Sequence, residues 1–225
     1  MIRKTIAFTL AETLIVMGII GIVSALTLPN LNSSTGEKEK VAKVKKIYQN
    51  LNDAVGRAQA VYGRIDTWSK MDSTYVAQSI RFGERVTEFM KVSKNCGTAA
   101  GCFSTAPFKY CDGEEWNSND VGDLINDAAY MVILADGTSL AFAGRRIRVD
   151  IDGPNKGKTT DGIDRFSFEV EDDGTVIPDG SNLSSTRNGS FDLNYDINVW
   201  VIENENLDYL KCKEKLNWNN KTSCK

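Results

Sequence analysis

Residues 130–143 read Tyr-Met-Val-Ile-Leu-Ala-Asp-Gly-Thr-Ser-Leu-Ala-Phe-Ala, and this stretch decides the fold class of the chain. Its first and last five residues are mostly apolar, and Asp136-Gly137 stands between them. An Asp-Gly pair between two such runs is the strongest short-range signal for a β-hairpin, because the turn needs residues that tolerate positive φ. The stretch therefore predicts two adjacent antiparallel strands.

Further strands are predicted on the C-terminal side of this hairpin. Residues 147–151 and 165–170 are rich in the β-branched and aromatic side chains that strands favour. Asp172-Asp-Gly174 is then a turn signal before a short strand over 175–177. Together these runs predict an antiparallel meander of about four or five strands.

An amphipathic helix that ends near Gly63 is predicted before the sheet. Ser34 and Glu37 have the spacing of a capping box, so this helix is expected to start after the polar stretch 30–36. Apolar residues then recur at intervals of three and four, which places them on one helix face that ends near Gly63. That face consists of Val41, Val44, Ile47, Tyr48, Leu51, Val55, Ala58 and Val61.

The order of these elements predicts the fold class. A helix with one apolar face needs a partner to cover it, and a helix that precedes an antiparallel sheet is typical of α+β domains. A second helix is predicted over 76–92, followed by a Gly- and Cys-rich loop over 95–120. We therefore predict an α+β fold in which a long N-terminal helix packs on an antiparallel β-sheet meander.

Composition excludes several classes of function. The 225 residues are 41% hydrophobic, which is enough for one ordinary globular domain with an appended element. The net charge of −3 gives no general attraction to nucleic acid, so no nucleic-acid partner is predicted. The sequence contains no histidine, which removes the commonest general base and every Ser-His or Cys-His nucleophile pair. No catalytic residue is predicted, and the chain is not expected to be an enzyme.

The N-terminus has the pattern of a membrane anchor. Residues 1–7 are short and basic, and residues 8–28 are almost wholly apolar, with Glu12 as their only charged side chain. As a helix, 8–28 would rise about 1.5 Å per residue and span roughly 30 Å, the thickness of the hydrocarbon core of a bilayer. A carboxylate in such a segment is costly, so Glu12 is expected to have a functional partner.

The start of the apolar segment resembles a motif of a known family. Residues 7–15 read Ala-Phe-Thr-Leu-Ala-Glu-Thr-Leu-Ile and are similar to the cleavage and methylation motif of type IV pilins and type II secretion pseudopilins. The resemblance implies that prepilin peptidase cleaves between Ala7 and Phe8 and methylates the new Phe8 amine. It also implies that Glu12 pairs with the Phe8 amine of a neighbouring subunit, so that two groups that resist burial enter the filament core as one charge-assisted pair. Pro29 stands where the family commonly has a helix-bending proline, and Ala7 stands where it usually has glycine.

The same resemblance implies an organisation of the whole chain. It divides the chain into a prepilin leader (1–7), a transmembrane helix (8–28), a linker with an amphipathic helix (29–63) and a globular extracytoplasmic domain (64–225). It places the protein in the bacterial inner membrane as a single-pass protein before it enters a pilus or pseudopilus. The implied partners are prepilin peptidase, other pilin or pseudopilin subunits and the inner-membrane assembly platform. No cofactor is required.

Two other interpretations of the N-terminus stay open. An ordinary secretory signal peptide has an apolar core like 13–23 and a small-residue cleavage site like Val23-Ser-Ala25, although Glu12 fits that pattern poorly. A single-pass anchor without filament assembly explains the apolar run but not Glu12. Either alternative would make the chain an exported binding protein, soluble or membrane-anchored. The lysines that follow, within 38–46, run against the positive-inside tendency of a membrane anchor with this orientation.

All five cysteines lie in the C-terminal two thirds of the chain, which suits an oxidised, exported domain. Cys96 and Cys102 bracket a short Gly-rich stretch, and Cys212 and Cys224 stand near the C-terminus. These are the two predicted disulfides, with Cys111 left over. The alternative is that some of these thiols stay free.

An aspartate-rich loop is predicted between the strands at 147–151 and 165–170. Its oxygen-bearing side chains are grouped around glycine turns, and calcium favours such sets. The loop also resembles the Asp/Asn-Gly-Pro-Asn stretch before Gly-x-Asp-x-Phe in many pseudopilins, some of which bind calcium there. Asp, Asn and Gly are equally common in tight turns, so a structural turn and a calcium site are both open. The candidate ligands are Asp150, Asp152, Asn155, Asp161 and Asp164.

Two further groups of side chains are open to more than one interpretation. The lysine-rich face of the predicted helix is expected to be solvated, with lipid headgroups or a neighbouring subunit as the alternative contacts. Trp200 and Tyr209 are expected in the core, with a ligand-binding platform as the alternative. The lysine face consists of Lys38, Lys40, Lys43, Lys45 and Lys46.

Overall fold

The computed structural model describes residues 10–68, 74–104, 109–111, 113, 130–157, 159–181, 189, 191–193 and 195–225, and for residues 24–35 it describes the backbone alone. The chain forms two compact units, Met1–Glu39 and Lys40–Lys225. The second unit holds the sheet and the hydrophobic core.

Helices come first along the chain, the sheet follows, and short helices complete the C-terminal part. The elements are α1 (Leu10–Tyr62), α2 (Ile65–Trp68), α3 (Tyr75–Thr87), β1 (Val92–Gly97), β2 (Tyr130–Leu134), β3 (Ser139–Ala143), β4 (Arg146–Asp150), β5 (Arg165–Val170), β6 (Val176–Pro178), α4 (Ile197–Asn204), α5 (Tyr209–Cys212) and a 3-10 turn (Lys213–Lys215).

The strands among the described residues form one antiparallel sheet of six, in the order in which they follow along the chain. The predicted hairpin joins β2 to β3, where Tyr130 pairs with Phe142 and Ile133 with Ser139. Its turn places Gly137 at φ +89°, in the left-handed region that glycine adopts without steric cost. The α+β class is confirmed, with a sheet larger than the four or five strands predicted.

The edge strand β1 lies where the sequence predicts the end of a helix and the start of a loop. The helix predicted over 76–92 is wrong beyond Thr87, where α3 ends. β1 reads Val-Ser-Lys-Asn-Cys-Gly, has a largely exposed middle, and pairs with β2 through two register shifts. An edge strand is paired on one side only, and bulges and charged residues are common there, so β1 carries no apolar alternation that could have predicted it.

Helix α1 runs without interruption from Leu10 to Tyr62. The linker and the helix restart predicted around 30–36 are therefore corrected. Continuing a helix adds one backbone hydrogen bond per residue, whereas ending and restarting it leaves unpaired groups at both new ends. The capping-box spacing of Ser34 and Glu37 does not outweigh that difference. Pro29 lies within α1, and the bend predicted there stays a prediction.

The apolar stripe of α1 packs on the sheet within the second unit. Val44, Leu51 and Ala58 are fully buried, and the Tyr48 ring stacks on Phe168 of β5 with 5.4 Å between the centroids. The stripe ends one turn earlier than predicted, because Val61 is 62% exposed. Burial of this face holds residues 41–58 of α1 against the sheet.

The C-terminal helices add an aromatic cluster to the core. Trp200 is fully buried, and its ring meets that of Trp218 with 4.7 Å between centroids. Tyr209 is 2% exposed and stacks on Phe191. Both predicted core aromatics therefore lie in the core, which leaves neither ring open as a ligand platform.

Disulfides close two short loops among the described residues. Cys96 is bonded to Cys102, and Cys212 is bonded to Cys224. Cys111 is partly buried and belongs to neither bridge. The first bridge joins β1 to the loop that follows it, and the second joins α5 to the C-terminal residues.

Candidate functional site

The predicted cleavage and methylation site, Ala7 and Phe8, lies outside the described residues, as does the side chain of Pro29. Glu12 lies in the first turn of α1, and its side chain is exposed. The roles of Phe8 and Glu12 in processing and subunit pairing remain predictions.

The N-terminal part of α1 presents a continuous apolar surface. The exposed fraction of its large apolar side chains ranges from 51% at Val16 to 80% at Leu10. Soluble domains rarely expose such a run, so it marks an interaction surface. Among the described residues, no helix combines the length and the apolarity needed to cross a membrane. The exposed set is Leu10, Leu14, Ile15, Val16, Met17, Ile19, Ile20, Ile22 and Val23.

Four lysines of the lysine face form ion pairs with residues of the second unit, where the prediction was a solvated face. Lys46 Nζ lies 3.0 Å from Asp136 Oδ2, in the β2–β3 turn. Lys45 pairs with Glu205, which follows α4. These two pairs are exposed, and an exposed ion pair typically contributes only about 0.2–1 kcal/mol. They therefore orient the helix on the domain more than they stabilise it.

Two other lysines meet the connection between β4 and β5, residues 151–164, which we name the β4–β5 loop. Lys43 Nζ lies 3.5 Å from Asp152 Oδ1, and Lys40 Nζ lies 3.8 Å from Asp152 Oδ2. Lys40 Nζ also donates a hydrogen bond of 3.1 Å to the carbonyl oxygen of Ile163. One helical turn of α1 thus holds both the beginning and the end of the loop.

Asp150, at the end of β4, is fully buried beside Arg165 of β5. Asp150 Oδ2 lies 3.5 Å from Arg165 Nε, and Asp150 Oδ1 accepts a hydrogen bond from the Asp152 amide. Burial raises the pKa of the Asp150 carboxyl to about 6, although Arg165 opposes this increase. The guanidinium of Arg165 also lies over the Phe103 ring, 5.0 Å from its centroid. Through the contact with Phe103, this buried pair connects β4 and β5 to the segment that follows the Cys96–Cys102 disulfide.

The end of the β4–β5 loop turns around the carboxylate of Asp164 and donates hydrogen bonds to it. The amides of Thr159 and Thr160 donate to its two oxygens, at 3.0 and 2.6 Å. Thr159 has a φ of +53°, a conformation that costs a threonine about 1–3 kcal/mol and persists only where the surroundings hold it. The Asp164 carboxylate is the group that holds it here.

The two other predicted ligands differ in their surroundings. Asn155 is exposed at the tip of the loop. Burial raises the pKa of the Asp161 carboxyl to about 7, opposed by the positive charges of Arg148 and Arg165. Nowhere in the described part of the chain are three or more His, Cys, Asp or Glu side chains grouped to hold a metal ion. In this arrangement Asp150, Asp152 and Asp164 bind protein groups, which fits a calcium ligand set poorly.

A cleft of about 370 Å³ opens between α2, α3 and the turn from β3 to β4. Its apolar side is formed by Ile65, Trp68 and Phe82, and Arg146 and Glu169 lie among its polar lining residues. This mixture of apolar and charged lining residues is typical of a binding surface.

Comparison with known protein families, curated proteins and solved structures finds no match to this chain. The likeness to pilins and pseudopilins therefore depends on sequence alone: the motif at 7–15, the apolar pattern of 8–28, the position of Pro29 and the partial likeness of the aspartate-rich loop.

Proposed function

We propose that this chain is a structural subunit of a type IV pilus or a type II secretion pseudopilus, and not an enzyme. The observation that carries the proposal is the prepilin-like motif at 7–15, joined directly to an apolar helix whose side chains are exposed from Leu10 to Val23. A motif of this kind gives the helix a processed, charged end as well as an apolar surface.

The apolar surface explains both stages of the proposed assembly. Before assembly, residues 8–28 anchor the chain in the inner membrane, with the domain at 64–225 outside the cytoplasm. After prepilin peptidase removes residues 1–7, the assembly platform transfers the subunit into the filament. Lipid covers the apolar side chains in the first stage, and neighbouring helices cover them in the second, so they are shielded from water throughout.

Glu12 gives the assembled helices a defined register. A lone carboxylate in an apolar environment costs about 2.5–3.5 kcal/mol at the centre of a membrane helix and less near its end. The N-methylated amine of Phe8 on a neighbouring subunit compensates this charge. Subunits are then favoured at the one axial offset that brings the two groups together.

In the proposed filament, residues 40–62 of α1 attach the domain to the helix. Besides its apolar stripe, α1 is tied to the β5–β6 hairpin by two hydrogen bonds. Tyr48 donates its hydroxyl proton to the Val176 carbonyl at 3.1 Å, and Gln59 Nε2 donates to the Asp173 carbonyl at 3.0 Å. A filament subunit needs this connection, because extraction and bending both load the helix.

The proposal is tested by recovery of filaments. In cells with a matching assembly system, filaments sheared from the surface, or pseudopili formed on overexpression, should contain the chain. A strain without prepilin peptidase is the control and should retain the chain in the membrane fraction. Recovery in the membrane or soluble extract alone, with the peptidase present, would favour the alternative of an exported binding protein, which would use the cleft beside Trp68 and Phe82.

A further inference from the structure

We propose that Lys40 and Lys43 are built-in counter-ions of the β4–β5 loop, so that the loop keeps its conformation without a bound calcium ion. Sequence leaves both a structural turn and a calcium site open for this loop. The side-chain contacts favour the turn, held by two ammonium groups of α1. This inference does not depend on the filament function.

Asp152 faces two positive charges. Its two carboxylate oxygens face different ammonium groups, Oδ1 at 3.5 Å from Lys43 and Oδ2 at 3.8 Å from Lys40. Calcium binds carboxylate oxygens at about 2.3–2.6 Å. An ion at that distance would stand beside both lysines, and repulsion between cations would oppose its entry.

Lys40 supplies a second contact that a metal ion would otherwise make. Backbone carbonyl oxygens are common calcium ligands in loops. In the β4–β5 loop, the Ile163 carbonyl accepts a 3.1 Å hydrogen bond from Lys40 Nζ. The same ammonium group therefore neutralises a carboxylate near the start of the loop and binds a carbonyl near its end.

The Asp164 carboxylate near the end of the loop already has backbone partners. A Cβ on Gly157 would lie 2.3 Å from Asp164 Oδ2 and 3.3 Å from Asp152 Oδ2, so the chain at Gly157 lies directly beside both carboxylates. Asp164 also accepts hydrogen bonds from the Thr159 and Thr160 amides. A calcium ion at Asp164 would compete with these two hydrogen bonds for the carboxylate oxygens.

The test uses the full chain, purified in detergent micelles, stripped of metal and melted in low salt with millimolar calcium or with excess chelator. Tryptophan fluorescence follows unfolding, since Trp200 and Trp218 lie in the core cluster. The wild type should melt at the same temperature in both conditions. Lys40→Met combined with Lys43→Met should lower the melting temperature in chelator by about 3–6 °C, the shift expected for losing two ion pairs and one charged hydrogen bond.

Two further variants make the comparison specific. Lys38→Met combined with Lys215→Met removes the same charge from two exposed lysines outside the loop contacts, and it should melt within about a degree of the wild type. Lys40→Arg combined with Lys43→Arg keeps both positive charges and should retain most of the stability. High salt should reduce the difference between the Lys40/Lys43 methionine variant and the wild type, because it screens the ion pairs.

Two results would overturn the proposal. One is a calcium-dependent rise of several degrees in the wild type that is lost in Asp152→Asn. The other is a Lys40/Lys43 methionine variant that melts like the Lys38/Lys215 control. If the methionine variant does not fold, the calcium response of the wild type and of the arginine variant still decides the question.

Discussion

Gly83 of α3 packs directly against the ring of Tyr130 in β2, so closely that a Cβ on Gly83 would lie 2.2 Å from Tyr130 Cδ1. The tyrosine cannot easily move aside, because its hydroxyl accepts a 2.6 Å hydrogen bond from Asn95 Nδ2 on β1. The glycine therefore sets how near α3 approaches the sheet.

Gly83→Ala should lower the free energy of unfolding by about 1–3 kcal/mol, because the added methyl group forces the helix or the ring to shift. The matched control is Gly56→Ala, an exposed position in α1 where a Cβ meets nothing within 4 Å. Since alanine is the better helix former, that change should add about 0.5–1 kcal/mol. Urea unfolding of both variants checks the pair, and a stabilising Gly83→Ala would contradict the packing described.

Stability should also depend on the protonation of Asp150. Burial raises the pKa of this carboxyl from 3.8 to about 6, so the folded state binds its proton more tightly than the unfolded state does. The stabilisation is complete below the unfolded pKa and is lost as the pH rises through the folded pKa. Asp161, whose pKa is raised to about 7, contributes in the same direction.

In chelator, the free energy of unfolding should therefore fall by about 1 kcal/mol or more between about pH 5 and about pH 7.5. Asp150→Asn cannot titrate and should show a shallower pH dependence over the same range. Chemical denaturation at several pH values measures both slopes. Equal slopes in the wild type and Asp150→Asn would contradict a raised pKa at Asp150.

Much of this fold could be predicted from local pattern. The β2–β3 hairpin and β5 lie where the sequence places them, because an Asp-Gly turn and alternating apolar residues act over a few positions. The α1 stripe is likewise set by periodicity. In contrast, β1 and the continuity of α1 through 30–36 depend on tertiary pairing and on helix propagation, which local patterns do not report.

The β4–β5 loop shows the same limit at the level of a site. Its aspartates could be found from the sequence, and so could the lysine face of α1. The contact of Lys40 and Lys43 with Asp152 could not be predicted from the sequence. More than a hundred positions separate these residues along the chain, and only the packing of α1 on the sheet brings them together. A charged turn and a charged helix face are both ordinary patterns. The ion pairs between them account for both groups of charges, and these pairs are visible only in the folded chain.

Leader processing should depend on the size of residue 7. Ala7 is small, so Ala7→Gly, the residue usual in the family, should be cleaved at the same rate or faster. Ala7→Leu should accumulate as precursor, because a bulky side chain fits a small-residue cleavage site poorly. Immunoblots of whole cells separate precursor from mature chain, and equal processing of the leucine variant would argue against cleavage at this bond.

Glu12 should matter for assembly and not for membrane insertion. Glu12→Ala removes a charge that is costly in an apolar segment, so insertion should be unchanged or improved. Incorporation into sheared filaments should fall steeply, because the Phe8 amine loses its partner. Glu12→Asp, which keeps the charge on a shorter side chain, should retain more incorporation than Glu12→Gln. Filament yields equal to the wild type in all three variants would contradict the pairing.

The most direct measurement for the filament proposal is the mass of the mature N-terminal peptide, isolated from cells that contain prepilin peptidase. The proposal predicts a chain that begins at Phe8 and carries one methyl group on its amine. A chain that begins at Leu26 would show an ordinary signal peptide, and a chain that keeps Met1 to Ala7 would show an unprocessed anchor. Either of those two results would contradict the proposed function.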